Sequence, residues 1–464
     1  MTRSGTPPTS RAHSRSGLRP LLLLGAGILI VLALPPTVYN LAVLAGRMKL
    51  WPASIALYDA AIRLAPDHAR AYRNRGQAEA VLGRYEAALA DFDRALALVP
   101  EDRDALWLRA EVLMRLERFE AVADAARRTL AIAPDHVPSL VQSGYALMRL
   151  QRFDDALGHL HRALAREPGH VTALTCRADV HLQLGNTKSA EADAREAVRL
   201  SPLHDHAHRI VGLAAMKSQR WQDAADALTH AIALKPDVAS LTRRAEAHLW
   251  LKQYKRAFDD ASRAIGLDAD DADAHRHAAN AANSMGRYGE ALPLARRAAA
   301  LTPSDAPARS HALSHVAHAL NGLEQFTEAA IVAGQALAGE PRNAHALRQA
   351  AIALLRSGRA GEAVPLLDRA VVVDPRNGYN FALRAEAKAA AGDGQGALRD
   401  AAAALASDRQ SAWSHYALAR AHQALGGREA AASAIALAAS LLPGNKLIEQ
   451  AREEIAAMMP GSRI

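Results

Sequence analysis

The sequence predicts an all-α solenoid of about twelve stacked helical hairpins, closed by a C-terminal capping helix and preceded by an N-terminal transmembrane helix. Three observations carry that prediction. Pro66, Pro100, Pro134, Pro168, Pro202 and Pro236 recur at steps of 34 residues. Alanine and leucine, both strong helix formers, dominate the composition. A fourteen-residue apolar run, Leu21–Leu34, follows a basic start.

The first element is a tail, residues 1–20, rich in Ser, Thr, Pro and Arg. It holds Arg3, Arg11, Arg15 and Arg19 and no acid, so it is expected to be disordered and basic. The net charge of the whole chain is +8, modest for 464 residues. A basic tail beside a membrane accounts for that excess as well as nucleic acid would. Elsewhere the charges interleave in sign and form no basic patch with aromatics between, so nucleic-acid binding is not expected.

The second element is the apolar run. Fourteen helical residues reach only about 21 Å, short of a bilayer core roughly 30 Å thick. Extending the segment to 18–38 supplies the length and predicts a single transmembrane anchor, with Pro35 and Pro36 at its far end and Tyr39 at the headgroups. The arginines before it outnumber Arg47 and Lys49 just after it, which keeps the N-terminus cytoplasmic and puts the solenoid in the periplasm. The alternative is a secretory signal cleaved after Ala33, releasing the chain into the periplasm.

The third element is the repeat array, 35–445. After Pro236 the series runs through Ala269, Pro303, Pro341, Pro375, Asp408 and Pro443, giving twelve units. Counted from Ala69, one unit places Tyr72, Gly76, Glu79 and Gly83 at phases 4, 8, 11 and 15. Tyr85, Ala88, Phe92, Ala95 and Pro100 follow at 17, 20, 24, 27 and 32. This pattern resembles the tetratricopeptide repeat. It departs from it where alanine replaces Gly76 in several units, and at Glu79, where a large residue is usual. The resemblance implies a right-handed superhelix of helix-turn-helix repeats that binds other proteins, here a membrane-anchored bacterial member of the family.

Elementary physics leads to the same hairpin. Two stretches of helical apolar periodicity flank a turn in each unit. Gly83, Gly185, Gly286, Gly358 and Gly392 sit where the first helix must end. The phase-32 proline stops the second helix. Such a hairpin cannot bury its apolar face alone, so neighbours must stack. Residues 304–320 carry four extra residues, expected as a longer loop or a bend. Segment 446–459 puts Ile448, Ala451, Ile455 and Met458 on one face and is predicted to be the cap.

Four arginines, Arg75, Arg177, Arg244 and Arg384, hold the seventh phase, and Asp91, Asp193, Asp260 and Asp400 follow each by sixteen residues. Arg75 and Asp91 lie equally far from Gly83, so an antiparallel hairpin sets them at one height. A half-buried arginine needs a carboxylate, and four structural ion pairs are expected.

The functional expectation rests on phases 2, 5, 9, 12 and 13 of the first helices, which turn away from the packing face toward a concave groove. They include Arg73, Trp107, Arg115, Tyr145, Arg149, Arg209, Lys217, Trp250, Arg276 and Asn280, with Glu111, Asp179 and Glu246 between. Arginine and aromatics suit recognition of a peptide segment of a protein partner. The expected role is a membrane-tethered interaction scaffold in envelope assembly, secretion or maturation. The alternative is an accessory arm of an envelope enzyme or polysaccharide synthase or exporter, presenting substrate to a separate catalytic subunit.

No phosphate loop, nucleophile elbow, H-E-x-x-H or paired-carboxylate signature occurs, so no catalytic residues, cofactor or small-molecule substrate are expected. The only cysteine, Cys176, excludes an intrachain disulfide and thiolate metal sites. Two histidine groups, His204, His206 and His208, and His311, His315 and His318, have helical spacing but no completing carboxylate or cysteine, and no metal site is assigned.

Overall fold

The computed structural model describes residues 34–304 and 307–458. They form 25 α-helices, with no strand among the described residues. The predicted basic tail and most of the predicted span 18–38 lie outside the described residues. The described end of that span, Pro35–Val38, is the first turn of a solenoid helix, Pro35–Arg47, and Val38 is buried. Tyr39, expected at the headgroups, stacks on His68 and accepts a 3.0 Å hydrogen bond from Asn74. Among the described residues no helix is long and apolar enough to cross a membrane.

The chain divides into two compact units, one ending at Ile210 and one starting at Val211. In the first, hairpins run from Pro35–Arg47 and Trp51–Leu64 to Val171–Gln183 and Thr187–Leu200. In the second, they run from Val238–Trp250 and Tyr254–Leu267 to Ala412–Ala424 and Arg428–Leu441. The division falls inside Asp205–Lys217, the partner of Trp221–Leu234, so twelve hairpins occur among the described residues. Lys446–Ala457 closes the second unit, with Ile448, Ala451 and Ile455 buried. Each unit is an all-helical solenoid.

Alanine and glycine set the helix spacing. A Cβ on Gly144 or Gly212 would come within 2.6 Å of Leu160 or 2.7 Å of Leu228 on the paired helix. The turns have one geometry. Gly83, Gly185, Gly286, Gly358 and Gly392 all adopt positive φ. So do Lys49, Glu117, Gln151, Gln219, Lys252 and Glu324 at the same phase, with φ between 54° and 62°. The left-handed turn is thus required by hairpin packing even where the residue disfavours it.

The residues added after Pro303 correct one expectation. They lie largely in the helix Pro307–Gly322, 16 residues long against 13 for the other first helices, and so do not merely lengthen a loop. Arg309 in its first turn donates to the carbonyls of Ala299 and Thr302 at 2.8 and 3.1 Å, satisfying the end of the preceding helix.

The phase-7 arginines bind within their own hairpin, to the hairpin before, or to both. Arg75 binds Asp91 through Nε and Nη2 at 2.8 and 2.5 Å. Arg177 and Asp193 pair at 2.7 Å twice, Arg244 and Asp260 at 2.7 and 2.6 Å, and Arg384 and Asp400 at 2.8 and 2.6 Å. Arg75 also reaches back sixteen residues to Asp59, and Arg384 to Asp368. Arg109, which lacks an aspartate sixteen residues ahead, takes Asp93 sixteen residues behind at 2.8 Å. Four of these arginines therefore tie their own hairpins together, Arg75 and Arg384 also bind the hairpin before, and Arg109 binds only that one.

Candidate partner-binding surfaces

In the first unit the groove-phase side chains are largely engaged with neighbours. Arg73 donates to Asp102, the N-cap of the next hairpin, at 2.9 Å. Trp107 is half-buried and edge-on to His136. Arg149 lies 4.3 Å from the Phe119 ring centroid and donates to the Tyr145 hydroxyl at 3.0 Å. Arg115 is exposed and shares a cleft of about 380 Å³ with Gln77, Val81 and Glu111. Arg209 meets His206, which in turn meets Asp179 at 2.6 Å.

The histidines of that cluster have ordinary duties. His204 Nδ1 caps its helix by accepting from Ala207 N, and His208 contacts the carbonyl of Pro202. Among the described residues no group of His, Cys, Asp or Glu is arranged to hold a metal ion.

In the second unit Trp250 is 61 % exposed and stacks flat on Trp221, with ring centroids 5.0 Å apart. Lys217 is exposed. Arg276 pairs with Asp273 at 2.8 Å, and Asn280 is half-buried on the same helix.

A larger feature of the second unit escaped the sequence reading. An open chamber of about 620 Å³ is lined by Tyr288, Phe326, Tyr379 and Trp413, together with His318, Asn321, Gln349 and Arg356. Asn445, Lys446, Leu447 and Gln450 of the capping segment also face it. Lys446 comes within 3.9 Å of Glu324, so the cap closes back toward the turn after Pro307–Gly322. Part of the lining holds the groove phases of later repeats: His318, Ile352, Arg356, Tyr379 and Trp413. The rule that selected Arg73 to Asn280 would have found them if carried past the eighth unit.

The walls are a partly satisfied polar network. Arg356 binds Glu386 at 2.6 Å, and the Tyr416 hydroxyl donates to the same carboxylate at 3.0 Å. Burial works against charge on Arg356, yet Glu386 more than offsets it and its pKa is raised. Burial, helped by Glu386, pushes the Tyr379 hydroxyl up to about 12. Asn321 donates to Gln349 at 2.9 and 3.0 Å, while its own Oδ1 is buried without a partner. Arg348 beside them makes no ion pair among the described residues and meets Asn380 Oδ1 at 3.4 Å; burial lowers its pKa, opposed by Tyr379 and Asp374.

Behind this wall His315, His318 and His345 meet across two first helices, with His277 on a third close enough to act on His315 electrostatically. His315 and His345 have ring centroids 4.8 Å apart, and His318 and His345 5.4 Å. The Nδ1 atoms of His277 and His315 are buried and unpaired. Burial holds His318 down to about 4 and His277 to about 3, and His315 and His345 well below the usual histidine range. All four are neutral at pH 7.

Two family models, each described as tetratricopeptide repeat, match the sequence: one over residues 43–112, the other over 141–205, 212–272 and 317–379, together more than half of the chain. No curated protein matches the sequence. Among solved structures the chain resembles the APC/C hetero-tetramer Cut9-Hcn1, at 10 % identity and TM-score 0.53, covering 92 % of this chain and 98 % of that one. It is also similar to YrrB, a TPR protein with an unusual peptide-binding site, at 21 % identity and TM-score 0.35, over 39 % of this chain and 94 % of that one. Yeast Tom70 matches at 15 % identity and TM-score 0.37, over 84 % and 95 %. At these identities the first likeness speaks to the fold alone.

Proposed function

The chain belongs to the tetratricopeptide repeat family, and we propose that it is a membrane-tethered scaffold that holds segments of partner proteins on the inner faces of its helix stacks, in a bacterial cell envelope. The observation that carries this reading is the chamber of the second unit. Its aromatic lining is only half-buried, Phe326, Tyr379 and Trp413 each packing one side against the core, and the Asn321 acceptor has no partner among the described residues. Aromatic and arginine side chains gathered at a concave site are the composition of binding hot spots. The exposed Trp250–Trp221 stack and Arg115 supply further contact points. The tether is the apolar run Leu21–Leu34, whose length with its flanks suits one crossing.

The test is photo-crosslinking of the full chain in native membranes, with the crosslinker at Tyr379 or Trp413. A small set of protein partners, lost when the other of these two residues is changed to alanine, is the expected result. Recovery of a glycosyltransferase, synthase or exporter subunit would favour the accessory-arm reading. Crosslinks to no protein at all would remove the scaffold reading. A reporter active only outside the cytoplasm, fused after Ile464, should be active, and carbonate should not strip the chain from membranes.

A further inference from the structure

We propose that the outer face of the first helix, Pro35–Arg47, is seated on the membrane, an anionic lipid surface covering what a preceding helix covers in the following hairpins. The proposal rests on the tether reading above. Its starting point is one position followed along the repeat. Leu44 is 52 % exposed, whereas Ala78, Val112 and Ala146, each 34 residues further on, are 2 %, 4 % and 0 % exposed. In those later hairpins the face is covered by the second helix of the hairpin before. Val112 packs in one cluster with Ala88, Leu89 and Phe92, and Arg75 reaches back to Asp59.

At the first helix the same face carries Leu41 and Leu44, and Met48 and Leu50 follow in the turn, all large apolar side chains exposed by 38 to 63 %; of these, Met48 has exposed equivalents in later hairpins, Leu82 and Leu184, so Leu44 carries the contrast. Solenoid ends ordinarily need a polar outer face, as the cap Lys446–Ala457 provides with Arg452, Glu453 and Glu454 exposed. Pro35–Arg47 contains no acid, and Arg47 and Lys49 flank its apolar stripe. An apolar stripe edged by cations is the pattern of a helix lying at an anionic bilayer surface.

The place of the apolar run decides between occupants. Leu21–Leu34 ends at the residue where this helix begins, so a membrane crossed by the run lies against the helix. The run has no polar side to turn to water, which a hairpin helix folded back on Leu44 would require.

The experiment uses the full chain in vesicles of phosphatidylcholine with phosphatidylglycerol, in a Cys176→Ala background. An environment-sensitive fluorophore is placed at Leu44→Cys, at Met48→Cys or, as a control, at the exposed Arg127→Cys. Lipids brominated on the acyl chains should quench positions 44 and 48 at least about three-fold more than position 127, as expected for side chains sunk to the acyl boundary. Floating vesicles that carry the protein with a blue-shifted but unquenched probe would overturn the proposal in favour of a covering protein segment. A water-exposed, unquenched probe on floating protein would overturn the seat and leave the tether standing. Protein that fails to float with the vesicles would overturn both. Leu44→Glu with Met48→Glu should leave thermal melting in detergent unchanged while abolishing the quenching of a probe at Leu41→Cys. Marked destabilisation would mean that protein, not lipid, covers the face.

Discussion

Acidification should loosen the second unit at its imidazole cluster before it affects the carboxylate pairs. His277, His315, His318 and His345 are held neutral by burial, with His318 at about 4 and His277 at about 3. The groups facing them offer little help to a proton. Arg276 and Arg348 oppose it, His311 is occupied with Glu340, and only Asp273 near His277 favours it. Each histidine in the unfolded chain takes up a proton below about pH 6.5, while the folded chain does not, so stability falls as pH drops through that value. The slope is about 1.4 kcal/mol per pH unit for each imidazole, so at pH 5 a histidine with a folded pKa near 4 has lost about 2 kcal/mol. The loss continues down to the folded pKa. Hydrogen exchange on the full chain at pH 7.5 and 5.0, corrected for the chemical exchange rate, reads it locally. Protection in Ala272–Ser284, Pro307–Gly322 and Ala344–Arg356 should fall by more than ten-fold. His315→Gln should lessen that fall, since Gln349 already fills the same phase one hairpin later. Equal protection at both pH values in these three helices would refute the reasoning.

Other consequences follow from single contacts. Asp260→Ala leaves Arg244, with 13 % of its side chain exposed, without its bidentate partner, and should cost about 3 kcal/mol in urea unfolding. Arg244→Met combined with Asp260→Leu should recover most of that, and a loss under about 0.5 kcal/mol for the single change would show the pair to be ornamental. Gln151→Gly relieves a side chain held at φ 59° and should raise the melting temperature by the equivalent of roughly 1 kcal/mol, where a drop would contradict the strain argument. The combined Trp107→Ala, Arg149→Ala, Trp250→Ala variant should still recover partners that bind the second unit's chamber, and should lose those that bind the earlier groove positions. Loss of all partners would return the main site to those earlier positions.

Much of this protein was legible without coordinates because its physics is local and repeated. A 34-residue period, small residues where helices cross and a stop after each second helix define the hairpin from nearest neighbours alone. Arg75 and Asp91 could be matched because both lie eight residues from Gly83 in one antiparallel pair. The partner sixteen residues behind, Asp59 for Arg75 or Asp93 for Arg109, depends on how one hairpin sits on the last, which no single unit encodes. The extra residues after Pro303 show the same limit, since only packing decided that they extend a helix. The chamber lay furthest from view. Tyr288 and Gln450 are 162 positions apart in the sequence and line one space because small rotations between successive hairpins accumulate until the cap faces the turn after Gly322. Likewise the periodic apolar pattern marks Leu41 and Leu44 as ordinary packing positions. Their exposure follows from their rank in the array, the first hairpin having no helix among the described residues to cover it. Sequence thus determined the unit and its internal contacts, whereas the stacking of units decided which equivalent positions became core, ion pair, chamber or open surface.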